Sequence, residues 1–414
     1  MSADGQLLVA GAFDRYNFGD LLFPRVLSRA LRRLGVERPL SYLATTSADL
    51  RAMGGVATRS LDSLREQPPG PRDLLLFAGG EILDAGWAGT YAALSGPARA
   101  FAVKALDRAL GAERLSRTLL QSHRELPWVC SREEAGGADV AYAAVGGSGL
   151  DRLTPRRREA VRRRLGEAFD LSVRDPRTLE ILQAWGLEAR LAPDGVVLAS
   201  ELFPREELLR DLSPAGRELL AKLGEGTYFC LQLGRYPSRG HLGEIAAQVA
   251  ALRASHGLPV LLLPLGLAPA HEDPRPLAEI RRRLEERSGG RARSSGMGPP
   301  VLLASAPSQP PLPVTDLLAL IASARLFAGT SLHGNLTALT YGVPRVGLGP
   351  GVRKLDLFLR TWDPTQPNGA AAFSELAACA ATALEISPAD LEAARSHVLT
   401  AGWQNLRQLV AKLA

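Results

Sequence analysis

The stretch LFAGTSLHGNLTALTYGVPRVGLG, residues 326–349, reads as a strand, a turn, a helix and a second strand. Arg325 to Ala328 marks the end of a short buried strand, which Gly329 breaks. Ser331 is a good N-cap, because its hydroxyl can accept a bond from an otherwise unpaired amide of the first turn. Leu332, Leu336 and Leu339 recur at helical spacing and mark the buried face. Gly342 and Pro344 stop the helix, and PRVGLG resumes as a strand. His333 therefore falls in the first helical turn. With Thr337 and Thr340 it is expected to face whatever the helix N-terminus addresses. That end of a helix presents unpaired amides and partial positive charge, which suits an anion. The plain alternative is a histidine that only packs or caps locally.

Outward from this stretch the same grammar repeats. In the first half LLVAGAF, SYLAT, DLLLFAGGEILDAG, VAYAAVGGSGL, FDLSVRDPRTLEILQAWGL and EARLAPDGVVLAS supply strands that run into glycine turns or helices. Asp175-Pro176 has the capping aspartate and first-turn proline of a helix start. In the second half come TYFCLQLGRY, PVLLLPLG and PVLLASA, with helices near 240–256 and 274–287 and over VTDLLALIASA. Strands alternating with helices at this spacing imply parallel strands with crossover helices. The expected fold class is α/β: two Rossmann-like domains with parallel sheets, over 1–204 and 226–414, joined by a connector at 205–225. Such a pair places its ligand site in the interdomain cleft, outside the carboxyl ends of the strands. RSGGRARSSGMGPP is low-complexity and reads as a mobile surface loop.

Composition narrows the function. Of 414 residues 46% are hydrophobic and 22% charged, which is the balance of a soluble globular chain. No apolar run approaches the ~20 residues of a membrane span, and no basic segment precedes the first apolar run, so the N-terminus reads as a strand rather than a signal peptide. Cys130, Cys230 and Cys379 lie far apart without CxxC spacing, which points to reduced thiols in the cytoplasm and away from structural zinc. The net charge of +6 comes mostly from arginine, densest in TPRRREAVRRRLGEAF, a solvated amphipathic helix. Aromatics are only 6% and scattered, so nucleic-acid binding is not favoured. Arginine binds carboxylate and phosphate through paired N–H groups, so an anionic substrate fits.

Several polar residues share His333's setting after a strand. GAFDRYNFGD offers Asn17 and Asp20, FAGGEILDAG offers Glu81, and SVRDP offers Arg174. LAPDGV adds Asp194; LQLGRYPSRG and LPLGLAPAHED add Arg235, His271 and Asp273; GPGVRKLDLFL adds Arg353 and Lys354. Each has an ordinary explanation: a turn, a cap for Asp20, an ion pair of Arg174 with Asp194 or Asp175. Their common placement is what marks them.

Taken in order, NFGD, FAGGEILD, YAAVGG, SVRDPRTLEILQAWGL, APDGVVL, GTSLHGNLTALTYGVPRVGL and the lysine of VRKLD resemble the polysaccharide pyruvyl transferases over most of the chain. The resemblance implies a GT-B-like pair of domains and transfer of the enolpyruvyl-derived unit of phosphoenolpyruvate to a sugar of a polysaccharide or its precursor, leaving a pyruvate ketal. It implies no metal and no cofactor beyond phosphoenolpyruvate as co-substrate. Two departures stand out: Ser331 occupies a position that many members fill with arginine, and GGE replaces the commoner three glycines. By this resemblance His333 is the acid/base. Ser331, Arg235, Lys354, Arg353 and Arg174 bind the donor, and Asn17, Asp20 and Glu81 face the acceptor. A cytoplasmic enzyme is implied, held peripherally at the inner face of the membrane if its acceptor is lipid-linked; the arginine-rich helices could assist there. The rivals are a GT-B nucleotide-sugar glycosyltransferase and a family-like binding protein that has lost turnover.

Overall fold

The computed structural model describes residues 5–110, 113–267, 273–287, 300–304 and 311–413. Nearly all of RSGGRARSSGMGPP, and His271, lie outside the described residues. The chain divides into two compact units, one built on Met1–Leu198 with the C-terminal residues from Thr400, the other on the span from Ala199 to Leu399. Residues 205–225 form the helices Arg205–Arg210 and Pro214–Leu223. They belong to the second unit, where Ser213 N–H donates to the buried Asp316 at 3.1 Å.

The first unit holds eight strands: β1 (Leu7–Ala10), β2 (Leu40–Ala44), β3 (Ala48–Asp49), β4 (Ala57–Ser60), β5 (Leu74–Ala78), β6 (Asp139–Val145), β7 (Asp170–Val173) and β8 (Arg190–Leu191). Their order is β3-β4-β2-β1-β5-β6-β7-β8, and every pair is parallel except β3 with β4. β1, β5 and β7 are buried at every residue, and in β1 and β5 this matches continuous apolar strands covered on both faces. From β1 the chain builds outward through β2 and β4 on one side and through β5 to β8 on the other. The strand order therefore reverses between β1 and β5, where open sheets of this kind take their ligands. β6 carries an irregularity, with a register shift between Tyr142 and Val145 and Ala144 at φ 50°. The bulge is held by the Ser172 hydroxyl, which accepts from Ala144 N–H at 2.9 Å.

In the second unit β9 (Phe229–Gln232), β10 (Val260–Leu262), β11 (Val301–Leu303), β12 (Leu326–Gly329) and β13 (Arg345–Gly347) form a wholly parallel sheet ordered β11-β10-β9-β12-β13. Its order reverses between β9 and β12. The helix after β12 spans Leu332–Thr340, and Ser331 caps it by accepting from Gly334 N–H at 3.2 Å. Asp175 likewise caps Pro176–Ala184, accepting from Thr178 N–H at 2.8 Å with Pro176 in the first turn. The arginine-dense helix is Pro155–Gly166 and is mostly solvated. Arg164 alone of its arginines is buried, paired with Glu134 and Glu125.

Candidate active site

At the reversal point of the second sheet Gly329 lies level with Gln232 on one side and Gly347 on the other. The chain leaving β12 is pinned there. Gln232 Oε1 accepts from Ser331 N–H at 2.8 Å, and Thr330 Oγ1 accepts from Gly234 N–H at 2.7 Å. Asn335 Nδ2 donates back to the carbonyls of Gly329 and Ser331 at 2.9 and 2.8 Å. The turn that presents His333 is thus bonded from the neighbouring strand and from its own helix. A Cβ at Gly334 would overlap the Phe327 ring, so this first helical turn packs directly onto β12.

Within Leu332–Thr340 His333 is the one residue that is not buried. Thr337 and Thr340, expected beside it, are fully buried. The helix is covered all round by its own unit, including the helix Val314–Ala322, so only the first turn is left to address a ligand. Three buried polar atoms belong to this helix or its neighbour and have no partner among the described residues: Gln232 Nε2, Asn335 Oδ1 and Thr337 Oγ1. Unsatisfied buried polar groups are scarce in native folds and cluster where function or bound water explains them.

Three of the four cationic candidates fall into two places of the second unit. Arg353 and Lys354 open the helix Arg353–Trp362, after the loop that follows β13; Lys354 is exposed. Arg235, after β9, lies 3.5 Å from Asp273 and borders a cavity of about 460 Å³ with Tyr236, Arg239 and Arg275. Burial alone would raise the Asp273 carboxyl. The hydrogen bonds of Arg275 and the charges of Arg275 and Arg235 outweigh it, and hold the group below its ordinary range.

In the first unit the reversal point carries Asn17 and Asp20 after β1 and Glu81 after β5. Asn17 caps the helix Phe18–Arg33, accepting from Asp20 N–H at 3.5 Å, so the cap falls to Asn17 rather than to Asp20. Gly79 (φ 65°) turns the chain out of β5 where a Cβ would overlap the Phe23 ring. Glu81 then bonds Arg174 at 2.8 Å and accepts from Ser148 N–H at 2.7 Å. Arg174, expected on the donor side, is buried in the first unit with its other arm on the fully buried Asp194 at 2.8 Å. A guanidinium so enclosed needs both carboxylates; this is the ion pair named above as its ordinary explanation.

Two groups emerge only in three dimensions. Asp14 is buried and accepts from Thr45 Oγ1 at 2.5 Å, Thr46 N–H at 3.0 Å and Arg15 Nε at 3.0 Å, which joins the loops after β1 and β2. Asp84, in the same FAGGEILDAG stretch as Glu81, has its carboxyl pushed up to about 6, first by burial and then by the charge of Glu81. A Cβ at Gly149 would overlap it. Beyond the ends of β2 and β4 lies a polar cavity of about 890 Å³, lined among others by Thr46, Ser47, Ser60 and Ser63.

This layout can be set beside known proteins. The family model "Polysaccharide pyruvyl transferase" matches residues 17–351, from Asn17 to the loop before Arg353. The chain belongs to the polysaccharide pyruvyl transferase family. Membership makes it a transferase acting on polysaccharides. The family match takes in His333, Ser331, Arg235, Arg174, Glu81, Asp20 and Asn17, and stops short of Arg353 and Lys354. No protein of curated function matches the chain.

Solved structures resemble this family member over nearly their whole length. The UDP-GlcNAc 2-epimerase of Methanocaldococcus jannaschii is 12% identical with a TM-score of 0.52, over 98% of this chain and 99% of that one. A putative UDP-N-acetylglucosamine 2-epimerase from Listeria monocytogenes is 13% identical with a TM-score of 0.53, over 99% and 95%. The trehalose-6-phosphate synthase OtsA is 11% identical with a TM-score of 0.50, over 99% and 98%. At such identities the likeness carries the fold alone, which is GT-B.

Proposed function

We propose that this family member takes the pyruvyl unit of phosphoenolpyruvate and sets it as a ketal on two hydroxyls of a sugar in a polysaccharide or its precursor. The observation that carries the reading is the position of His333: first turn of a helix, after β12, at the point where the strand order of the second sheet reverses. A histidine titrates near working pH and can deliver and recover a proton.

His333 protonates the methylene carbon, and positive character develops at the carbon that bears the carboxylate and phosphate. A sugar hydroxyl forms a C–O bond there and gives up its proton. The bond to the phosphate oxygen breaks, inorganic phosphate leaves, and a second hydroxyl adds with loss of its proton to close the ring. One methylene becomes a methyl group, two C–O bonds form and one breaks. The turn at Ser331 and the cations Arg235, Arg353 and Lys354 bind the donor's two anionic groups, without metal or further cofactor. Asn17, Asp20 and Glu81 serve the acceptor. Arg174 holds Glu81 in place, and Asp84, with a carboxyl near 6, receives a hydroxyl proton. The cavity lined by Ser47, Ser60 and Ser63 has the hydroxyl character of a sugar subsite.

The test is phosphate release from phosphoenolpyruvate with a panel of oligosaccharide and lipid-linked acceptors, followed by mass spectrometry for the ketal. A second reading, transfer from a nucleotide sugar, rests on the shared fold, which a Neisseria meningitidis 2-epimerase bound to UDP-GlcNAc also has. Turnover of UDP-sugars without phosphoenolpyruvate would select it. Donor binding with no phosphate release under any acceptor would select a binding protein.

A further inference from the structure

Among the described residues five large hydrophobic side chains are exposed, and three of them lie close together in sequence: Phe101 (78%), Leu106 (52%) and Leu119 (47%). The first two belong to the helix Pro97–Leu110, PARAFAVKALDRAL, in the first unit. That helix is fastened by a narrow face. Among its described side chains Ala100, Val103 and Asp107 are the buried ones, and Asp107 accepts from Leu115 N–H at 2.8 Å and from Ser116 N–H at 3.2 Å, which ties it to the next helix, Arg114–Leu119.

At about 100° per residue the opposite face reads differently from an ordinary solvated one. Phe101, Ala105, Ala98, Ala109, Ala102 and Leu106 follow one another round an outward arc of roughly 140°, with no polar side chain among them. Basic residues flank that arc: Arg108 on one side, with Lys104 beyond Pro97, and Arg99 on the other, each exposed. The two acidic residues of the stretch 97–119 are turned inward. Asp107 is buried, and Glu113 accepts from Trp87 N–H at 2.7 Å and pairs with Arg157. Arg114 and Leu119 extend the same apolar-and-basic character onto the next helix.

An apolar arc between cationic edges fits one surface: the headgroup boundary of an anionic bilayer. There the apolar side chains enter the acyl region, while arginine and lysine stems reach out to the phosphates. A second copy of the chain is a poor occupant, because two such faces would bring their like charges together. No helix among the described residues is long and apolar enough to cross a membrane, so this one would lie in the surface. The arginine-dense helix Pro155–Gly166 shows no exposed large hydrophobic residue and lacks this pattern.

We infer that the Pro97–Leu110 helix docks the protein on anionic phospholipid membranes. The inference is independent of the reaction assigned above, and its test uses no substrate. Full-length protein is floated with vesicles of phosphatidylcholine alone and with ~30% phosphatidylglycerol, beside the double variant Phe101→Ser/Leu106→Ser and the variant Lys104→Glu/Arg108→Glu. Circular dichroism and an unchanged unfolding midpoint verify the fold of both. The result expected is binding to the anionic vesicles only, lowered by at least about tenfold in each variant. No binding to anionic vesicles overturns the proposal, and so does binding that either variant retains in full. A concentration-dependent dimer that the serine variant abolishes, without vesicle binding, would assign the face to a second copy instead.

Discussion

The side chain of Gln232 accepts a hydrogen bond from the backbone N–H of Ser331 at 2.8 Å, across a gap of 99 residues in sequence. It fixes the end of β9 to the turn that presents His333, and Gln232 itself is 1% exposed. Replacing it with leucine keeps the volume but leaves a buried amide unpaired, at a cost of about 1–3 kcal/mol. Gln232→Leu is expected to unfold earlier in urea and, if His333 is the acid/base proposed above, to lose about tenfold or more in turnover, because the turn that presents it is displaced. Unchanged turnover in a destabilised variant would leave Gln232 a role in the fold only.

Arg174 sits between Glu81 and Asp194 at 2.8 Å from each. Arg174→Ala leaves two carboxylates facing each other with little water, and the expected loss is about 3–5 kcal/mol. Arg174→Lys keeps the charge but cannot fork to both partners, so it should fall between wild type and alanine. Urea unfolding at pH 7 measures both.

Asp84 gives a pH signature of definite sign. Its carboxyl is raised from 3.8 to about 6, so the native state holds the proton more tightly than the unfolded chain. The associated stability is fully present below about pH 4 and is lost as pH rises through 6. Asp84→Asn should therefore unfold later than wild type at pH 7, by about 1–3 kcal/mol, and no later at pH 4. If Asp84 also receives the hydroxyl proton, the variant loses the rise in kcat/KM near pH 6 and about 100-fold in rate.

Arg345 is fully buried and pairs with Asp363, Nε to Oδ2 at 2.8 Å, beside β12. Arg345→Ala is expected to cost about 3–5 kcal/mol, and a double variant with Asp363→Ala to cost less than the sum of the two, because the second change removes the charge stranded by the first. Additive losses in urea would show that the two do not act as a pair.

What was legible in the sequence was mostly what is encoded locally. The strand expected to end at Ala328 spans Leu326–Gly329, the helix begins directly after Ser331, and Asp175-Pro176 starts a helix, because caps, glycines and prolines act within a few residues. The alternation of strand and helix carried the α/β class. Thr337 and Thr340, expected to face with His333 whatever the helix N-terminus addresses, are instead fully buried for a tertiary reason: neighbouring elements cover the helix beyond its first turn, and helical periodicity cannot register them. Arg174 could be placed after a strand, but not beside Glu81, which is 93 residues away. Asp84 stood inside a quoted stretch and was passed over, since its raised pKa comes from burial and from Glu81 together. Asp14 gave no signal at all; its partners lie on the next strand's loop.

His333 remains the decisive residue, and thermal unfolding of the wild type and of His333→Ala, each with and without millimolar phosphoenolpyruvate, tests its role most directly. A ligand that binds the native state raises the midpoint by mass action. The expected result is a rise of about 5 °C in the wild type and a much smaller one in the variant, with both proteins unfolding alike when no ligand is added. A wild-type midpoint that ignores phosphoenolpyruvate, with or without candidate acceptors, but rises with UDP would contradict the account.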